Sequence, residues 1–288
     1  MGQTSPPASA RPARRRVART AVVARKEQLS PQMVRVIFTG PDLSELPDLT
    51  FTDHYIKILF PPRGADYAWP FDVDELKQRE PAERWPVTRT YTIRSFDRTV
   101  GELAVDFVLH GGEGVAGPWA AQARPGDALG FFGPGGSHLV DDKAEAHLLV
   151  GDEAALPAIA VTLEQIDDDV PTQVFLEVDG AADHQPLAVG GATVVHWVHR
   201  SDSGLDYGQA VAAAVRATQL PTGRLQAFVH GNAAMVRDLR RYLFLERGLD
   251  RQAVSISGYW RTGHTEDRWQ ATKGAFNRQM EAEEAKTS

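Results

Sequence analysis

The chain changes its apolar rhythm once, near residue 142, and that change constrains its fold more than any single motif. Before it lie short β-type runs at Thr20 to Arg25, Met33 to Thr39, His54 to Phe60, Val87 to Arg94, Leu103 to His110 and Ala128 to Phe132. They are separated by turn sequences such as Thr39-Gly40-Pro41-Asp42, Phe60-Pro61-Pro62-Arg63-Gly64 and Arg124-Pro125-Gly126-Asp127. Short strands with Gly/Pro punctuation and almost no helical periodicity predict a small antiparallel barrel. Residues 63 to 86, with Trp69, Pro70, Trp85 and Pro86, read as an insertion or long loop in it. Beyond Asp141 the strands become continuously apolar: Ala146 to Val150, Val174 to Val178, Val194 to Trp197 and Gln226 to His230. Helical stretches at Ala154 to Gln165, Tyr207 to Thr218 and Ala233 to Arg247 alternate with them, predicting a mostly parallel α/β sheet with ligands off the carboxyl ends of its strands. The predicted architecture is therefore β + α/β: a barrel domain at 17–141, an α/β domain at 142–270, a mobile basic tail at 1–16 and a helical or disordered C-terminal tail at 271–288.

A chain of 288 residues that is 42% hydrophobic can bury the cores of two such domains. Its formal net charge of -7 argues against general nucleic-acid binding, which needs a broad basic face. Arg14-Arg15-Arg16 in the tail reads as solvated. The chain has no cysteine, which excludes disulfides, thiolate metal sites and Cys-ligated iron–sulfur clusters. No apolar run approaches a membrane span and the N-terminus lacks a signal-peptide core, so the expected location is cytoplasmic.

Four stretches could carry chemistry. In Arg89-Thr90-Tyr91-Thr92-Ile93-Arg94 a strand would alternate Arg89, Tyr91 and Ile93 with Thr90, Thr92 and Arg94. A forked guanidinium, a ring for stacking and a hydroxyl suit a flat ligand bearing a phosphate, although an amphipathic strand with its arginines in water has the same pattern. In Asp106-Phe107-Val108-Leu109-His110-Gly111-Gly112-Glu113-Gly114-Val115-Ala116-Gly117-Pro118-Trp119, a strand runs into glycines and then a helix started by Pro118. That is a place for a pyrophosphate or a plain glycine-rich turn. Gly151-Asp152-Glu153-Ala154-Ala155-Leu156-Pro157-Ala158 occupies a strand-to-helix turn, but its two carboxylates disfavour an anionic ligand and could instead cap the helix. Ser257-Gly258-Tyr259-Trp260-Arg261-Thr262-Gly263 could cover a planar ligand or act as a packing clasp.

The order of these motifs along one chain resembles the ferredoxin–NADP reductase architecture. Together with Gly133-Pro134, they are similar to the siderophore-interacting proteins, FAD-dependent ferric-siderophore reductases, from about Arg19 to Trp269. The resemblance implies that NADH or NADPH, or alternatively a protein donor, reduces bound FAD, which passes electrons to siderophore-held Fe(III) without a protein metal ligand. It implies that Arg89 pairs with an FAD phosphate, Tyr91 stacks on the flavin, and Thr92 lies at the reactive edge with Tyr91 as its catalytic neighbour. Thr90, Asp106, Val108, His110, Gly114, Val115, Ala116, Gly117 and Trp119 would hold the rest of the dinucleotide. Asp152, Glu153 and Ala155 would lie in the cleft between domains, with Tyr259 and Trp260 near the flavin. Lys57 and Arg261 would dock the ferric siderophore, and the protein would act as a monomer away from nucleic acid and membrane. Where relatives often read Gly-Pro-Arg-Gly-Ser, this chain reads Gly133-Pro134-Gly135-Gly136-Ser137, so a cation is missing. That loss would weaken strongly anionic catecholate complexes more than hydroxamate or mixed ones. A flavin reductase with a quinone or free-flavin acceptor, and a siderophore- or nucleotide-binding protein without turnover, are the alternatives.

Overall fold

The computed structural model describes residues 18–109 and 114–285. Strands β1 (Arg19–Ser30), β2 (Met33–Thr39), β3 (Tyr55–Phe60), β4 (Val87–Asp97), β5 (Glu102–Val108) and β6 (Ala128–Gly135) close an antiparallel barrel in the order β1-β2-β5-β4-β3-β6. Val34, Val36 and Phe38 of β2 and Leu103, Val105 and Phe107 of β5 alternate into its core, as the period of two requires. Residues 63–86 are not structureless. They carry helix α1 (Val73–Arg79), whose first turn is capped by the Asp72 carboxylate accepting from the N–H groups of Asp74 and Glu75. Helix α2 (Ala116–Gln122) follows β5.

One seam of the barrel is incomplete. Residues 87–92 of β4 pair with β3, but β4 and β5 pair only from Ile93↔Val105 to Asp97↔Glu102, with a bulge between Ile93 and Ser95. The first half of β4 therefore diverges from the end of β5. A bulge of this kind turns the strand and ends regular pairing beyond it.

The second domain contains β7 (Ala146–Asp152), α3 (Leu156–Leu163), β8 (Thr172–Val178), β9 (Thr193–His199), α4 (Arg200–Ser203), α5 (Gln209–Ala217), β10 (Leu225–Asn232), α6 (Ala233–Arg241), β11 (Val254–Trp260) and α7 (Glu266–Ala285). Its five strands lie in the order β11-β10-β7-β8-β9, with every neighbouring pair parallel. β7 is buried on both faces. Leu148 and Val150 pack with Val211, Val215 and Leu239 of α5 and α6, while Leu149 packs with Leu156 and Ile159 of α3. The direction of strand succession reverses between β7 and β10, so the crevice at their carboxyl ends is the expected ligand position.

Three elements differ from the sequence reading. The helix expected over 233–247 stops at Arg241 and continues as a π turn at Tyr242–Glu246. The segment from Ser257, read as a cover for a planar ligand or a packing clasp, lies up to Trp260 in the fifth sheet strand β11. The expected boundary at 270 falls inside α7, one continuous 20-residue helix. Trp269 anchors it, fully buried, with its Nε1 donating to the Gly258 carbonyl at 3.3 Å. Glu284 secures the far end by accepting from Arg240 and, at 2.5 Å, from Arg251.

Polar contacts join the domains. Ser30 Oγ donates to Asp183 at 2.9 Å, the Gln32 N–H donates to the same carboxylate at 3.0 Å, and Thr162 Oγ1 donates to Thr52 Oγ1 at 2.9 Å. Arg94 of β4 pairs with Glu164 at the end of α3 at 2.5 Å.

Candidate functional site

The open seam between β4 and β5 leads into a cleft of about 960 Å³ bounded by the barrel on one side and by β10, β11 and the start of α7 on the other. Arg89, Thr90, Tyr91 and Thr92 all line it. Strict alternation would have left two of the four turned away, but a strand with one unpaired edge can be approached there from both faces. Asp106 and Val108 face them from β5, and Gly114, Val115, Ala116 and Gly117 contribute the entrance to α2. Gly114 takes φ +77°, and a Cβ there would meet nothing within 4 Å, so its open side is the cleft. Lys57, Tyr259 and Trp260 complete the expected residues that reach this space.

The Tyr91 ring lies 4.3 Å from Phe107, and burial raises the phenol pKa well above its ordinary value, so its hydroxyl stays protonated. Asp106 is clamped by Arg35 through two hydrogen bonds of 2.6 and 2.8 Å. It therefore serves the barrel wall as an already compensated charge. Arg89 donates to both carboxylate oxygens of Asp267, at 3.0 and 3.1 Å, in the first turn of α7. Its partner is 63% exposed, so an incoming phosphate displaces a hydrated carboxylate rather than a buried one.

Several expected site residues lie elsewhere. Trp119 points into the barrel core, stacked on Phe38 at 6.2 Å and against Phe60 and Phe107 at 5.6 and 6.0 Å. The short amphipathic turn of α2 must bury one face, and position 119 is on it. Asp152, Glu153 and Ala155 are buried beneath the cleft, whereas Ala154 and Pro157 reach it. Asp152 accepts from Trp260 Nε1 at 2.7 Å, from the Asn232 N–H at 2.8 Å and from the Ala154 N–H at 3.0 Å. Gly231 makes this approach possible: at φ +135°, any Cβ there would sit 2.7 Å from the Asp152 carboxylate. Burial first, and then Glu153, pushes the Asp152 pKa up to about 7. Glu153 pairs with Arg200. Arg261 is exposed and lies over Phe276, lining a separate recess of about 710 Å³ between α6 and α7. His110 lies outside the described residues.

The cleft also holds residues that the sequence reading did not select. Lys273 of α7 donates to Ser257 Oγ at 2.9 Å, and its pKa is lowered by burial and by Lys57, while Glu266 opposes the shift. Both lysines line the same cavity. Glu266, Gln270 and Lys273 recur at helical spacing, a pattern split by the expected boundary at 270 between the α/β domain and a helical or disordered tail. At the missing cation, the Tyr55 ring fills the vacant place: a Cβ on Gly135 would meet its Cζ at 2.6 Å. His230 also lines the cleft, with Nε2 2.9 Å from Ser255 Oγ and a pKa held well below its usual value by burial, then by His138 and Lys273.

The donors present fit a flavin dinucleotide. A guanidinium with a hydrated partner, a protonated phenol, two threonine hydroxyls and a glycine-bordered main chain converge on a space large enough for a flat extended ligand. Among the described residues, no group of three or more His, Asp or Glu side chains is placed to hold a metal ion, and no helix is long and apolar enough to cross a membrane.

Known proteins resemble this chain in sequence and in fold. Ferric vibriobactin reductase ViuB of Vibrio cholerae is 32% identical over 250 residues, covering 84% of this chain and 89% of that protein. The NADPH-dependent ferric-chelate reductase of Escherichia coli is 32% identical over 245 residues, covering 84% and 92%. The crystal structure of the siderophore-interacting protein SipS from Aeromonas hydrophila superposes with a TM-score of 0.76 at 29% identity, over 91% of this chain and 99% of that one. Residues 22–138 match the siderophore-interacting FAD-binding domain and residues 144–263 the siderophore-interacting protein domain, so a split antiparallel barrel facing a parallel sheet across one cleft is here the framework of a member of the siderophore-interacting protein family.

Proposed function

We propose that this protein is a flavin-dependent ferric-siderophore reductase. The observation that carries the reading is the convergence of Arg89, Tyr91 and Thr92, at the unpaired edge of β4, with Lys57 and Lys273 in a single cleft. Arg89 would hold a phosphate of FAD, Tyr91 would lie on the ring system, the Thr92 side chain or backbone would fix its reactive edge, and the main chain of Val115 to Gly117 would receive the pyrophosphate. FAD supplies the conversion between a two-electron nicotinamide donor and single electrons for iron. The net reaction is balanced by oxidation of one reduced nicotinamide, reduction of two Fe(III) to Fe(II) and release of one proton. Ferrous iron binds hard oxygen donors more weakly than ferric iron, and the chelate then loosens without any protein ligand to the metal.

The residues of the chain bind, orient and exclude water. Lys57 and Lys273 attract a chelate carrying modest negative charge, and Tyr55 over Gly135 puts a neutral phenol where a guanidinium would favour a highly charged one. The supported substrate class is accordingly a ferric hydroxamate or mixed siderophore. We place the activity in the cytoplasm, with the protein acting as a monomer and a nicotinamide nucleotide rather than a protein as donor.

The test is direct. Purified protein reconstituted with FAD should show a bound-flavin visible spectrum, bleach anaerobically with a nicotinamide nucleotide, and generate Fe(II), captured by a ferrous chelator, faster from a ferric hydroxamate than from a ferric catecholate. Failure to retain FAD sinks the reading. Faster turnover of a quinone than of any ferric siderophore would make it a flavin reductase with another acceptor.

A further inference from the structure

The choice between NADH and NADPH turns on the carboxyl ends of β7, β8 and β9, and an inference about it rests on the reductase reading above. Dinucleotides on such sheets lie across these ends, and the adenosine ribose discriminates: a carboxylate favours a free 2′-hydroxyl, whereas an arginine accommodates a 2′-phosphate. Here β7 ends in Asp152 and is followed by Glu153, β8 carries Glu177 near its end, and Arg200 follows β9. From the sequence, Arg200, Arg240 and Arg241 are all available for a 2′-phosphate, and plain surface solvation explains them equally well.

The structure turns Arg200 inward. Arg200 donates through both Nη atoms to the Glu153 carboxylate, and its Nη1 lies 3.7 Å from Glu177 Oε2. Side-chain exposure is 10% for Arg200, 6% for Glu153 and 1% for Glu177, so the cluster is nearly dry. The guanidinium also sits 4.5 Å from the Tyr207 ring centre, and Glu177 is further held by the Gly208 N–H at 2.8 Å. One cation between two buried carboxylates is already compensated. Reaching a phosphate would strand both acids without their partner, the arrangement in which a buried ion pair is most costly to break.

Among the described residues, no nearby cation replaces it. Residues 201–208, which run past the half-exposed Tyr207, contain Asp202 and Asp206 and no Lys or Arg. Arg240 is engaged by Glu284, and Arg241 and Arg261 line the recess between α6 and α7 rather than the cleft. A 2′-phosphate, with nearly two negative charges, would meet local acids and a committed guanidinium, while an uncharged 2′-hydroxyl meets acceptors it can donate to. We infer that the donor is NADH rather than NADPH, and that Glu153 is the positioning residue that sets this preference by retaining Arg200.

Anaerobic stopped-flow reduction of the FAD-loaded protein by each nucleotide tests this. The wild type should show a kcat/KM for NADH at least about tenfold above that for NADPH. Glu153→Gln, which loosens Arg200, should narrow the ratio about tenfold through a lower KM for NADPH. Calorimetric titration gives a readout independent of turnover: 2′-phospho-AMP should bind the wild type no tighter than AMP, and Glu153→Gln more tightly. Equal or better use of NADPH by the wild type overturns the inference even if the variant does not fold. An unchanged ratio in a folded variant overturns the role of Glu153. If neither nucleotide reduces the flavin but dithionite-reduced protein still releases Fe(II) from a ferric siderophore, the donor inference falls and the reductase reading stands.

Discussion

Lys57 and Lys273 come from opposite walls of the cleft, one on a barrel strand and one on a helix, yet both line the same space. Their proposed task is attraction of the chelate, not electron transfer. Lys273→Ala in the FAD-loaded protein should raise the KM for a ferric hydroxamate about tenfold and leave kcat within about twofold, checked by steady-state Fe(II) capture. Asp152 gives a second measurable consequence. Burial raises its folded pKa from the ordinary carboxylate range to about 7, so the folded state binds a proton that the unfolded state has already lost across that window. Its contribution to stability is present below pH 4 and is lost as pH rises towards and through 7. Asp152→Asn removes this ionisation while keeping an acceptor for Asn232 and Trp260. Its melting temperature should exceed that of the wild type by a few degrees at pH 8, with the gap closing towards pH 5, as read by circular dichroism.

Among the elements, α7 changes the meaning of the chain's end. Pinned by Trp269, the helix delivers Glu266, Gln270 and Lys273 to the cleft and sets Asp267 against Arg89. Trp269 fits because position 258 is glycine: a Cβ there would come within 2.9 Å of the indole. Trp269→Ala should cost about 3–5 kcal/mol of stability in urea unfolding, the range for truncating a large buried aromatic side chain. At a temperature where the variant remains folded, it should also raise the KM for the ferric siderophore, because Lys273 loses its support. A stability loss with an unchanged KM would separate α7 from substrate docking. The β4 bulge acts at the same scale, since it ends the pairing with β5 and so creates the unpaired edge at residues 87–92.

Across the whole molecule, the cleft has its shape only while two domains hold their relation. Asp183 serves that relation by accepting from Ser30 Oγ and the Gln32 N–H across the boundary, and the carboxylate is 4% exposed. Asp183→Ala should cost about 1–3 kcal/mol, the penalty for buried donors left without an acceptor, measured by urea unfolding. FAD retention should fall with it, because the β10–β11 wall of the cleft would be held less firmly against the barrel.

The change of rhythm near residue 142 and the alternation in β2 and β5 were enough to establish a barrel followed by an α/β sheet, because burial of one strand face or both is written directly into residue order. Arg89, Tyr91 and Thr92 were singled out in the sequence by their donor chemistry, and the fold sets all three along one cleft. Trp119, Asp152, Glu153, Ala155 and Arg261 were not separable from true cleft residues: a motif specifies side-chain type, whereas orientation depends on which face neighbouring elements cover. Lys273, Tyr55 over Gly135 and the committed Arg200 became visible only in three dimensions. Each depends on a partner far away in the chain, and through-space charge and excluded volume leave no local periodic signal.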